Sequence, residues 1–353
     1  MSQSPAFVIT YWGITGSFSA PLLPAQLTEK LVEGMALLVE KGLLDELKPG
    51  TDLRDSLSEI IARELPFHLR SSYGGNTTCL EVQTPDELLI LDCGSGFREL
   101  GHSLETRWKA QGATARRRAH ILLTHGHMDH TFATPFFTPY YNAANSFSIW
   151  GPQVTLDSLT AVLDPGSAMS QVYFPPTFDQ MRALQDFRPL IPGADFCIGG
   201  TRITTLALNH PGGSMAYRLE NSGRIFVFAT DHEHVEGEPN ALAEFARGAA
   251  LLYTEGQYLR SEYEGRVGIM DDAPMVRRCW GHSPLESCIR TALEANVERL
   301  HVGHRDPRRD DRAIAEIDSL LRQLMRESLD ALPAGSERTC EALIPYEGMQ
   351  VVL

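Results

Sequence analysis

The chain is short of positive charge: 31 Lys and Arg face 45 Asp and Glu, a formal net charge of −14 over 353 residues. Proteins that grip a nucleic-acid backbone do so by neutralising phosphates with Lys and Arg. This balance therefore argues against extended nucleic acid as a partner. It leaves small phosphate esters open, because bound cations invert the charge of a site locally. No window of 18 apolar residues is free of charge, so neither a membrane-crossing helix nor a membrane partner is expected. Met1 to Thr10 has no basic start and no long apolar run, and no secretory leader is expected. The six cysteines, Cys79, Cys93, Cys197, Cys279, Cys288 and Cys340, include no CxxC pair. A reduced, cytoplasmic protein is the expectation. The chain contains no internal repeat and no low-complexity tract. Its length alone allows one or two domains.

Against these absences stands one dense cluster. Residues Ile121 to His130 read Ile-Leu-Leu-Thr-His-Gly-His-Met-Asp-His. The apolar run Ala119 to Leu123 predicts a buried strand, and the polar residues form the turn at its end. Residues two apart on an extended backbone point the same way, so His125 and His127 can reach one metal ion together. Asp129 and His130 follow from the turn and can reach a second point a few ångström away. Imidazole and carboxylate are ordinary zinc ligands. A lone His is most often a solvated or core residue; four such groups beside an apolar strand are a different matter.

The cluster is an HxHxDH signature, and it resembles the metallo-β-lactamase superfamily of hydrolases. The resemblance implies three further ligands, and candidates follow in the implied order. His210 lies in Asn209-His210-Pro211-Gly212-Gly213-Ser214, Asp231 follows the strand-like run Ile225 to Phe228, and His304 lies in Gly303-His304-Arg305-Asp306-Pro307. With the turn Gly13 to Ser17, the segment Gly74-Gly75-Asn76-Thr77 and Gly281-His282-Ser283, the pattern resembles the phosphodiesterase and tRNase Z-like branch more than the antibiotic-degrading enzymes. It covers roughly residues 7–20 and 70–310. The motif order argues for a single domain over residues 1–353.

The resemblance implies an α/β fold, a four-layer αββα sandwich, and two divalent metal ions. All-N/O ligation suits zinc, with manganese or iron open by ligand type. Carried over residue by residue, His125, His127 and His210 hold the first ion, Asp129, His130 and His304 the second, and Asp231 bridges them. Such a pair lowers the pKa of a shared bridging water towards neutrality, and Asp129 stands where it can also accept a hydrogen bond from that nucleophile. Asp92, at the end of the strand Leu88 to Leu91, is implied to orient a metal-binding His; a plain turn aspartate is the competing reading. Glu255 stands where the branch usually carries Asp, and its role is at most to support the ligands. His282 is the candidate acid for the leaving group, with a first-turn helix His as the alternative. His234 is a second, weaker candidate.

The clearest departure from the pattern is an insertion at about residues 22–70. Leu27, Leu31, Met35, Leu38 and Val39 recur at spacings of three and four, the mark of an amphipathic helix. Gly42 ends it. A second helix is predicted from Asp52, with Leu53, Leu57, Ile60 and Ile61 on one face, stopping before Pro66. The insertion is either a cap packed on the core or a lid or dimer surface; relatives in the superfamily are often dimers. Phe132, Phe136, Phe137, Tyr140 and Tyr141 are core or one wall of a pocket. Tyr173-Phe174-Pro175-Pro176 reads as a rigid loop, and Ser283 as the cap of a helix Leu285 to Ala295.

The first functional reading is a phosphodiesterase acting on a small phosphodiester such as a cyclic nucleotide. An RNA 3′-end nuclease of tRNase Z type is the second, disfavoured by the acidic charge. A carboxylic-ester, lactone or thioester hydrolase is the third. A non-catalytic binding protein is expected to have lost ligands, and all seven are here.

Overall fold

The structure, a computed structural model, describes residues 7–47, 52–164, 166, 176–333, 335–336 and 338–353. Tyr173, Phe174 and Pro175 of the expected rigid loop lie outside the described residues.

Two seven-stranded sheets face each other. The first contains β1 (Val8–Gly13), β2 (Cys79–Gln83), β3 (Leu88–Leu91), β4 (Arg118–Leu122), β5 (Ser146–Pro152) and β6 (Leu184–Leu190). The second contains β7 (Asp195–Ile198), β8 (Thr201–Leu208), β9 (Ser214–Asn221), β10 (Arg224–Ala229), β11 (Leu251–Glu255), β12 (Arg299–Gly303) and β13 (Glu341–Leu343). A last strand, β14 (Gln350–Val352), returns to the first sheet, giving the orders β14-β1-β2-β3-β4-β5-β6 and β13-β12-β11-β10-β9-β8-β7. The C-terminal segment supplies an edge strand to each sheet. Val352 pairs with Val8, and Leu343 with His301.

Side-chain alternation explains the four layers. Successive residues of a strand point to opposite faces. Leu89, Leu91 and Leu122 meet Tyr217, Phe226, Phe228 and Tyr253 between the sheets. Their neighbours Leu88, Ile90 and Ile121 point outwards, against Leu100, Leu104 and Trp108 of α3 (Gly96–Gln111) and Leu156 and Leu159 of α4 (Gln153–Leu163). On the far side Val227, Leu252 and Leu300 meet Cys288, Ile289 and Ala292 of α5 (Leu285–Ala295) and Ile314 and Leu321 of α6 (Asp311–Asp330). This is the αββα sandwich expected. Strands covered on both faces read as continuous apolar runs, as Leu88 to Leu91 does.

Part of the aromatic stretch is core. Phe137 and Tyr140 are buried, with Phe137 stacked on Phe97 at 3.9 Å between ring centroids, while Phe132 and Phe136 are exposed.

The insertion forms α1 (Pro24–Glu40) and α2 (Leu53–Glu64), with Gly42 left-handed at φ 67 after the first and Asp52 capping the second. Leu38, Leu43, Ile60 and Leu65 make a small core of their own. The apolar stripe of α1 is not what the helix buries. Leu27, Leu31, Met35 and Val39 are all about half exposed or more, and of the expected set only Leu38 is covered. The covered side is the neighbouring one, where Lys30 pairs with Asp311 and bonds the carbonyl of Ser71. The charge pair sets which face docks, and the stripe is left outside. Among the described residues no helix is long and apolar enough to cross a membrane.

Candidate metal centre

The parallel strands bring their carboxyl ends to one edge of the sandwich. β4 delivers His125 to His130, β8 delivers His210, β10 Asp231, β11 Glu255 and β12 His304. Backbone strain collects at the same edge. Asp92, Asp231 and His304 are left-handed, at φ 63, 51 and 49. Non-glycine residues adopt this region rarely and at a cost of roughly 1 kcal/mol or more, and such outliers gather where a site is held in a fixed shape.

Two groups of donors result, and Asp231 of the first also reaches the second. In one, atoms of His125, His127, His210 and Asp231 lie within 4.8 Å of one another; in the other, those of Asp129, His130 and His304 do. His130 Nε2 and His304 Nε2 are each 3.2 Å from Asp231 Oδ1, 3.2 and 3.1 Å from Asp129 Oδ2, and 3.3 Å from each other. A tetrahedral ion with bonds of about 2.0–2.1 Å needs ligand atoms about 3.3–3.4 Å apart, so the second group fits a zinc-sized cation closely. The first is slightly less regular. His210 Nε2 stands 3.0 Å from His127 Nδ1, and His125 Nε2 and His210 Nε2 are each 3.6 Å from Asp231 Oδ2. His125 Nε2 is buried without a hydrogen-bond partner. Facing imidazole lone pairs and orphaned buried nitrogens are what a cation would satisfy. The residues present therefore fit two metal ions.

The far nitrogens of three histidines are fixed. His130 Nδ1 donates to Asp92 Oδ2 at 2.7 Å, His125 Nδ1 to Thr124 Oγ1 at 3.0 Å, and His210 Nδ1 to the carbonyl of Gly281 at 2.9 Å. Asp92 also accepts the backbone N–H and hydroxyl of Thr124, so it supports two histidines at once. Fixing the far nitrogen aims the near one at a metal. Charge agrees with this arrangement. Burial pushes the Asp231 carboxyl up, but His304, His130 and His125 more than offset that and hold it well below the carboxylate range. Burial pulls the His130 imidazole down, and Asp129, Asp231 and Asp92 overcome it and raise it. The carboxylates hold positive charge in the centre.

His282 stands at the junction. With Asp231 and His304 it forms a third group of donors within 4.8 Å. Its ring is 5.0 Å from that of His304 and 5.3 Å from that of His210. Nδ1 is buried without a hydrogen-bond partner, and Glu255 Oε2 lies 3.8 Å away. Burial, then the neighbouring His304, pulls this imidazole down to about 3, while burial pushes Glu255 up to about 8. Glu255 accepts the N–H of Ser283 at 2.6 Å and that of Gln257 at 3.2 Å.

His234 does not join the donors. Both its ring nitrogens are taken, by Ser283 Oγ at 2.6 Å and Thr291 Oγ1 at 2.7 Å. It fastens the loop that carries His282. This also corrects the expected helix cap: Ser283 spends its hydroxyl on the carbonyl of His232 and on His234, and Pro284 precedes the first turn of α5. Cys197 and Cys279 are exposed and belong to none of the three groups.

Groups without a role in the sequence also shape the centre. The N–H of Ser17 donates to Asp129 Oδ2 at 2.8 Å. Gly16 packs against the His304 ring, and Gly281 (φ 88) against His210 Nδ1 and Pro211, where a Cβ would collide. Gly281→Ala should therefore push His210 aside. Affinity for one of two bound ions should fall by about 10- to 100-fold, read by titration against a competing chelator; two unchanged affinities would remove the crowding argument.

A family model described as a beta-lactamase superfamily domain matches residues 88–304, a span that contains all seven candidate ligands. By sequence the chain is similar to Ribonuclease Z of Bradyrhizobium sp. (strain ORS 278), 29% identical over 215 residues, which is 60% of this chain and 60% of that protein. The chain thus matches about three fifths of its curated relative's length. Unliganded yeast PDE1 shares the fold with a TM-score of 0.58 at 15% identity, over 99% of this chain and 100% of that one. Human tRNase Z, short form (ELAC1), does so with a TM-score of 0.53 at 13% identity, over 98% of each.

Proposed function

The chain belongs to the metallo-β-lactamase superfamily of hydrolases, and on that premise we propose that it is a phosphodiesterase using two divalent ions, zinc by ligand type, on a small phosphodiester such as a cyclic nucleotide. The observation that carries the reading is the place of Asp231 between two donor groups, its Oδ1 3.2 Å from His130 and His304 and its Oδ2 3.6 Å from His125 and His210, with His282 beside it. His125, His127 and His210 would hold one ion and Asp129, His130 and His304 the other. When bound, the pair activates water and neutralises charge on the phosphoryl oxygens.

The remaining chemistry falls to the chain. Asp129 is steadied by the N–H of Ser17 and is placed to accept a hydrogen bond from the attacking water. His282 is the proton donor to the departing alkoxide, with Glu255 behind its far nitrogen. Phe18, Met128, Phe132 and Trp280 are exposed, at 74%, 71%, 56% and 48%, and each lies within two residues of a group that builds the centre or anchors it. Apolar side chains kept in water around a polar centre suit a substrate with a flat apolar part, and base stacking on aromatic rings is one such use. A cytoplasmic setting, from the cysteine usage, belongs to the same proposal.

RNA 3′-end processing is the second reading, favoured by the similarity to Ribonuclease Z and opposed by the net charge of −14. The deciding experiment offers metal-loaded protein bis-p-nitrophenyl phosphate, a panel of cyclic nucleotides and a tRNA precursor. Turnover of the first two is expected. Turnover of the precursor but not the cyclic nucleotides favours the nuclease. Two bound ions with no turnover of any would transfer the proposal to the ester and thioester hydrolases.

A further inference from the structure

Residues Cys279 to Ser283 carry the carbonyl that fixes His210 and the side chain of His282, yet no regular element holds them. Cys279 and Gly281 are both left-handed, at φ 65 and 88. Their N–H groups converge on one side chain, Glu233. Its Oε1 accepts from the N–H of Cys279 at 2.7 Å and from the hydroxyl of Tyr263 at 2.5 Å, and its Oε2 accepts from the N–H of Gly281 at 2.8 Å. Backbone N–H groups that converge in this way form a seat for an anion, and here the anion is part of the chain. Glu233 is itself buried and fixed. Its N–H donates to the carbonyl of Asn209 at 2.8 Å, and Asn209 Nδ2 returns a bond to the carbonyl of Glu233 at 2.8 Å. Asn209 precedes His210, and Glu233 lies two residues after Asp231. The N–H of Ser283, next in the alternation, goes to Glu255.

We propose that Glu233 is the positioning residue of the centre, setting through one segment both the aim of His210 at the first ion and the placement of the His282 imidazole. The inference rests on the two-ion reading above. Its logic is geometric. A carboxylate offers only acceptors, and all three of its partners here are donors. The isosteric amide of Glu233→Gln turns an N–H₂ group towards at least one of them. The segment then shifts, the carbonyl of Gly281 leaves His210 Nδ1, and His282 moves with it. Among the described residues no hydrogen bond joins Asp129, His130 or His304 to this segment, and the approach of the His282 ring to His304, at 5.0 Å, is a ring contact that leaves the three in place.

The test is competitive zinc titration of Glu233→Gln against a chelator, alongside the natural protein. One ion should weaken by about 10- to 100-fold while the other keeps its affinity. Turnover should fall more for diesters that release an alkoxide than for bis-p-nitrophenyl phosphate, and adding His282→Ala should cost the alkoxide substrates little more. Two unchanged affinities, or two that fall by the same factor, would overturn the proposal. Should Glu233→Gln fail to fold, Glu233→Asp keeps the charge but withdraws the carboxylate by one methylene, out of reach of both segment N–H groups at once. It should weaken the same ion selectively, and unchanged affinities would again overturn the idea. Natural protein that binds fewer than two ions would count against the two-ion reading instead. Two ions without phosphodiester turnover would count against the substrate reading, and the titration would still judge Glu233.

Discussion

Asp231→Asn should bind at most one metal ion firmly and lose turnover by about 10³-fold or more, since an ion pair of this kind supplies several kcal/mol of transition-state stabilisation. Asp231 belongs to the first group of donors and also reaches two members of the second. Its Oδ1 lies 3.2 Å from His130 and His304, and its Oδ2 lies 3.6 Å from His125 and His210. Two divalent ions held close repel each other, and a shared negative charge is what makes double occupancy tolerable. An amide keeps the shape and removes that charge. Asparagine is preferable to alanine here because Asp231 sits at φ 51, a region that Asn tolerates and Ala does not without roughly 1–2 kcal/mol of strain. Asp231→Ala combines the two losses and should be less stable than Asp231→Asn. Elemental analysis after dialysis decides the matter. Two ions per chain in the Asn variant would end the bridging assignment.

The donors that meet at this edge can be picked out in the sequence because their signals are local. Imidazoles two residues apart end an apolar strand, and each later candidate follows a strand-like run that ends in a turn. What the sequence could not show is which groups meet across the fold. Asp92 was open between a turn and a support for histidine; its partners Thr124 and His130 are 32 and 38 residues away. Glu233 stood in view between His232 and His234, yet its partners are backbone N–H groups 46 and 48 residues on, and backbone donors leave no mark on residue identity. Gly281 is constrained by the His210 ring, 71 residues away in the chain, which the sequence does not show. The helix α1 shows a different limit. The apolar period specifies a helix, but not the direction in which the stripe faces. Here Lys30 and Asp311 decide that, and Leu27, Leu31, Met35 and Val39 stay in water. The strands β13 and β14 have three residues each, too short for any period to show.

His282→Ala should separate binding from proton transfer. His125, His127, His210, Asp129, His130, Asp231 and His304 stay in place, so both ions should remain, provided that His282 is not itself a ligand. Its position beside Asp231 and His304 makes that a real competitor, and the two roles predict different outcomes. As an acid, the imidazole matters in proportion to the basicity of the leaving group. A p-nitrophenolate departs without help, and bis-p-nitrophenyl phosphate should lose only a few-fold in rate. An alkoxide must be protonated as it leaves, and such diesters should slow by about 10²- to 10⁴-fold, the usual worth of general acid catalysis. As a ligand, the imidazole would be needed for every substrate alike, and its loss would show in the metal content. Glu255→Gln sharpens the comparison. Glu255 Oε2 stands 3.8 Å from His282 Nδ1, and its other bonds hold Ser283 and Gln257. Acting behind the acid, it should reproduce the same leaving-group dependence at smaller amplitude. Equal rate losses for both classes of diester in His282→Ala, with full metal content, would remove proton donation from this residue and leave it as a group that binds the phosphoryl oxygens.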